Sequence, residues 1–68
     1  MNEYLKVLHA LYVNPRHLQS DFARYNAKII AEAASRGHIT CLLAGIATNK
    51  WYVTIKGAET LNEAGWME

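Results

Sequence analysis

The side chains able to do chemistry in this sequence are few and scattered. Histidines stand at positions 9, 17 and 38, and the single cysteine at 41. A zinc site on a helix needs ligands about one turn apart, and a structural zinc site needs more than one thiolate or a second histidine nearby. His9, His17, His38 and Cys41 offer neither spacing. Cys41 with His38 would have to serve as nucleophile and base, yet residues three apart on a strand point to opposite faces. The four glycines lie at 37, 45, 57 and 65, so no glycine-rich loop is available to cradle a phosphate. No enzyme, metal or cofactor is therefore expected. His9 is expected at the edge of a helix core, and His38 at the start of a strand, facing solvent.

A different chemistry is better supplied. Arg24, Tyr25, Asn26 and Lys28 cluster in one helical stretch, and Asn49 with Lys50 falls at an expected hairpin tip. Arg and Lys neutralise phosphate, while Asn and Arg read base edges through paired hydrogen bonds. Arg24 and Lys28, four residues apart, equally suit an ordinary solvated helix face, and Asn26 equally suits a bend. The formal net charge is only +1, so distribution matters more than total. All seven Lys and Arg precede position 57 and face only Glu3, Asp21 and Glu32 there, whereas Glu59, Glu63 and Glu68 follow.

The elements that must position these groups follow from periodicity. Leu5, Leu8, Leu11 and Tyr12 recur at helical spacing and predict a first helix over about residues 2–13, capped by Asn2 and stopped at Asn14-Pro15. Residues 16–19 read as a short connection. Ser20 is placed to cap a second helical stretch with Phe22, Ile29, Ile30 and Ala33 on one side, ended by Gly37. One helix over residues 20–36, or two with a bend near Tyr25-Asn26, both fit that spacing. Ile39 and Cys41, then Trp51, Val53 and Ile55, alternate with polar residues and predict a hairpin. Leu43 to Lys50 reads as its exposed loop. Thr54 caps a short last helix bearing Ala58, Leu61 and Ala64 and closed by Gly65. The expected core is Leu5, Leu8, Leu11, Phe22, Ile29, Ile30, Ile39, Trp51, Val53 and Leu61.

Residues 1–68 leave room for one small α+β domain, in which folding hides only about 60% of the unfolded surface. Hydrophobic residues make up 51% and charged residues 19%, values of a globular rather than a disordered chain. A lone cysteine forms no intramolecular disulfide, which fits a reducing cytoplasm. The N-terminus lacks a basic cluster followed by an apolar stretch, and no run of about 20 apolar residues occurs, so neither export nor membrane insertion is expected.

The order helix, helical pair, hairpin, short helix resembles the winged helix-turn-helix superfamily. Arg36-Gly37-His38-Ile39-Thr40 is similar to that family's passage from recognition helix into the first wing strand. Trp51-Tyr52-Val53-Thr54-Ile55-Lys56-Gly57-Ala58-Glu59-Thr60-Leu61 is similar to its passage from the second wing strand into a closing helix. Trp51 can cover the open side of a small core, and Gly57 lets a helix start close beneath a strand. The span from Ser20 to Gly37 is compressed, with Arg24-Tyr25-Asn26-Ala27 where a glycine-bearing turn is usual, and very short chains of this pattern are similar to phage and prophage proteins. The resemblance implies a compact winged helix with a two-stranded wing, acting as a transcriptional or phage-type regulator; a dimer is expected because one domain with two or three basic contacts binds only weakly at physiological salt. Its helix residues would enter the major groove of duplex DNA and its wing residues would meet the backbone. The alternative is a winged-helix protein-interaction module without DNA binding, or a homodimer, using Tyr4, Tyr12, Leu42, Leu43 and Ile46. An apolar Leu42-Leu43-Ala44-Gly45-Ile46 is unusual for a DNA-contacting wing.

Overall fold

Residues 3–66 are described by the computed structural model. In chain order they form α1 (Glu3–Val13), β1 (Arg16–His17), α2 (Asp21–Tyr25), α3 (Ala27–Ser35), β2 (Ile39–Leu43), β3 (Ile46–Val53) and α4 (Ile55–Glu63). The expected cap Asn2 lies outside the described residues. The helical spacing in α1 buries Val7, Leu8 and Leu11, with Leu5 packed beside them.

The stretch after Ser20 is two helices. Ser20 caps α2, its Oγ accepting the Ala23 N–H at 3.1 Å. At Asn26 the backbone turns to φ −107°, ψ 28°, and the side-chain amide donates to the Phe22 carbonyl at 2.9 Å. The same carbonyl also accepts the Asn26 backbone N–H at 3.0 Å, so backbone and side chain of Asn26 both hold the end of α2 where α3 departs. The end of α3 uses Gly37 at φ +79°: the Gly37 N–H reaches the Ala34 carbonyl and the His38 N–H the Ala33 carbonyl. This paired closure is the one that a left-handed residue makes possible.

The sheet has three antiparallel strands in the order β1-β3-β2. Residues 16 and 17, expected in a connection, are a short strand: Arg16 pairs with Trp51 and His17 with Lys50. Leu43 to Lys50 is not a loop either. β2 and β3 pair Leu43 with Ile46 across a two-residue turn, Ala44-Gly45, both with positive φ (55° and 80°). Those angles are of the kind a tight hairpin needs, because the turn's twist then matches that of the strands. Thr48-Asn49-Lys50 instead fills a bulge, since Cys41 alone separates the paired Thr40 and Leu42 while four residues separate their partners Tyr52 and Ala47. The Thr48 hydroxyl pins it, donating to the Cys41 carbonyl at 2.7 Å and accepting the Lys50 N–H at 3.3 Å. Ile55 leaves the strand pattern, opening α4 and standing exposed.

Val7, Leu8, Leu11, Ala23, Ile30, Ala33, Ile39 and Leu61 form the buried core, and Leu5, Phe22, Ile29, Trp51 and Val53 pack against it half-buried. Thr54 caps α4 by accepting the Gly57 N–H at 3.1 Å. A Cβ on Gly57 would strike the His38 carbonyl and approach Val53 Cγ1 to 2.8 Å. Gly57→Ala, a change that ordinarily favours a helix, should therefore destabilise the fold by about 1–3 kcal/mol, read as a lower urea midpoint with an unchanged slope. Ala44 holds a left-handed conformation that costs an L side chain about 1 kcal/mol and that Asn tolerates. Ala44→Asn is expected to raise stability by about 0.5–1 kcal/mol, and an unchanged midpoint would contradict the turn geometry.

Candidate functional site

The break at Asn26 gathers the cations that the sequence singles out. Arg24 lies in the last turn of α2 and Lys28 in the first turn of α3, both exposed, with Tyr25 between them 90% exposed. These residues, with Asn26, Ala27 and Ile29, line one shallow depression. The Arg24 guanidinium lies 3.4 Å from the Asp21 carboxylate, an exposed pair. Such a pair contributes at most about 1 kcal/mol, so Arg24 can exchange it for another anion. Asn26, expected as a base reader, also serves the joint between the helices, its side-chain amide donating one N–H to the Phe22 carbonyl.

Asn49 and Lys50 are corrected. Neither is at the hairpin tip, which is Ala44-Gly45. Both lie where β3 pairs with β1, the Asn49 carbonyl accepting the Leu18 N–H at 2.9 Å. Trp51 faces the helices and shares a surface depression with Arg24 and Ala27. Lys50, paired with His17 next to the Arg16–Trp51 pair, then alternates to the opposite face of the sheet from Trp51.

His38 is buried rather than solvent-facing. The Thr60 hydroxyl donates its proton to the Lys56 carbonyl at 3.0 Å, so its oxygen accepts from His38 Nε2 at 3.3 Å. Nδ1 is then the acceptor for the Tyr4 hydroxyl at 2.6 Å. The neutral imidazole thus joins α1, β2 and α4 with both nitrogens satisfied. Arg36 lies over the Tyr4 ring, 4.9 Å from its centroid, and is ion-paired to Glu32. Tyr4 is in consequence half-buried and engaged, not an open contact residue. Of the other histidines, His17 is exposed in β1 and His9 packs on Trp66 with ring centroids 5.4 Å apart. Among the described residues no group of three or more His, Cys, Asp or Glu is placed to hold a metal ion.

Burial, then the charges of Lys56 and Arg36, hold the His38 pKa below its ordinary value. Between that lowered value and the ordinary one, about 6.5, the unfolded chain binds the proton more tightly. Stability from this group is complete above about pH 6.5 and falls as the pH drops below it. Thermal melts taken from about pH 7.5 down to about pH 5 should show a midpoint that falls more steeply for the native chain than for His38→Gln. Parallel curves would remove His38 as the cause.

The far end of the hairpin is apolar and exposed: Leu42, Leu43 and Ile46 lie open to solvent, as does Tyr12 at the end of α1. No helix of the described residues is long and apolar enough to cross a membrane.

Over 66 residues the chain is 46% identical to the gene 5.7 protein of Enterobacteria phage T3, covering 96% of each chain. It belongs to the gene 5.7 protein family. A second relative of the family, also 46% identical over 66 residues, is the fusion protein 5.5/5.7 of Escherichia phage T7, and this chain spans 39% of its length. No family model and no solved structure matches. The phage origin of these gene 5.7 relatives agrees with the likeness to small phage proteins, and their names state no activity.

Proposed function

We propose that the chain is a small winged-helix DNA-binding protein, a phage-type regulator of transcription acting in the cytoplasm without catalysis. The observation that carries this reading is the exposed Arg24, Tyr25 and Lys28 set around one helix joint. The element order supports it: a helix, a short strand, two helices and a hairpin, with α3 in the position of a recognition helix and β1 closing the sheet. Arg24 and Lys28 neutralise phosphates, and the Tyr25 ring supplies a flat surface for sugar or base. The exposed side of α3 carries Ala27, Lys28, Ala31 and Glu32, with Glu32 tied to Arg36. Few groups there read base edges, so binding is dominated by the backbone and discriminates weakly between sequences. Two exposed cations per chain, one of them shared with Asp21, hold duplex DNA only loosely at physiological salt, and two chains on one site would double the contacts.

Titration of a labelled mixed-sequence duplex at several salt concentrations tests this. Binding should weaken steeply with salt, and Arg24→Ala/Lys28→Ala should lower affinity and reduce the salt slope by about 2 with the thermal midpoint unchanged. No binding at low salt would sink the reading and favour a protein-interaction module, which the exposed Leu42, Leu43 and Ile46 support.

A further inference from the structure

The hairpin tip gathers three exposed large apolar residues that the DNA reading does not use. Leu42, Leu43 and Ile46 are 49%, 53% and 70% exposed, with exposed Ala44, Gly45 and Ala47 among them. From Gly37 to Asn49 the sequence holds no Asp, Glu, Lys or Arg, in a chain that is 19% charged. β2 is an edge strand, yet it carries neither the charge nor the proline that usually keeps such an edge from pairing with another chain. The turn itself keeps Ala44 in a left-handed conformation where Asn would fit with less strain and make the tip polar. Strain of this kind persists where the surface has a use.

We propose that this tip is where a second copy of the chain docks, Leu42, Leu43 and Ile46 of one copy packing on the same three residues of the other about a two-fold axis. Charge selects this occupant. A two-fold axis lays this patch on its own copy, so a net charge within it would face charge of the same sign, and this tip carries no Asp, Glu, Lys or Arg. A partner with an ordinary charged surface would instead have those charges buried here with no counter-charge. Area sets the strength. A standard interface takes about 800 Å² from each partner, a sixth or more of the 4655 Å² that this chain exposes. One hairpin end supplies less than that, so the dimer is reversible and its chains keep their own folded core when apart. The proposal does not depend on DNA binding and is tested without DNA.

Sedimentation equilibrium of the purified chain up to about 1 mM should show a monomer passing to a dimer as concentration rises. Leu43→Thr/Ile46→Thr keeps β-branched or strand-compatible side chains and should raise the dissociation constant at least about tenfold, with the dilute thermal midpoint little changed. Methyl NMR of the unaltered chain gives a readout that needs no variant: concentration-dependent shifts should centre on Leu42, Leu43 and Ile46. A chain that stays monomeric throughout overturns the proposal and leaves the tip to a different protein. Dimerisation undiminished in the double variant, or shifts centred on another face, overturns it as well.

Discussion

The structure turns on the close approach between the carbonyl of His38 and the first turn of α4. The Thr54 N–H donates to that carbonyl at 2.9 Å, the Thr54 hydroxyl donates to the Gly37 carbonyl at 2.7 Å, and Gly57 offers no side chain to hold them apart. Backbone groups at the ends of both hairpin strands and the start of a helix are thereby satisfied within a few residues of one another. Because α4 starts there, Leu61 lands between α1 and the sheet with no surface left exposed. The His38 ring, held by Tyr4 and Thr60, carries the same seam across to α1.

That seam frees other parts of the chain from packing. α2 is only five residues long and buries only Ala23, so its outer side can present Arg24 and Tyr25. Asn26 stops the helix without a glycine, its side-chain amide adding a second hydrogen bond to the Phe22 carbonyl that its own backbone N–H already reaches. The hairpin beyond the bulge is likewise outside the buried core, and its Leu42, Leu43 and Ile46 side chains stand exposed. The molecule thus has a tightly bonded middle and two surfaces, one basic and one apolar, on opposite terms with water.

Much of the fold was legible in the sequence because its signals are local. The Ser20 and Thr54 caps, the stops at Gly37 and Gly65, and the leucine spacing of α1 each act within a turn of helix, and each stands where expected. Features set by distant partners were hidden. Arg16-His17 is too short to show a strand period, and only Trp51 and Lys50 make it one. Thr48-Asn49-Lys50 has the composition of a turn, while the true turn, Ala44-Gly45, lacks the asparagine that would mark it. His38 reads as a surface residue until Tyr4 and Thr60, 34 and 22 positions away, supply its hydrogen bonds. The clustering of Arg24, Tyr25 and Lys28 was visible, whereas the place of Lys50, beside β1 rather than at the hairpin tip, needed the register of β3.

The pairing of β1 with β3 also governs the order in which this chain can acquire structure. Arg16 meets a partner 35 positions later, and β3 lies between two strands that both precede it in the sequence. During synthesis α1 therefore emerges with Leu8 and Leu11 uncovered, and β1 has nothing to pair with until Trp51 has left the ribosome. Strand pairing over such distances is slow compared with forming a helix. The chain must stay unaggregated at least until Trp51 has been made, because until then the sheet lacks its central strand.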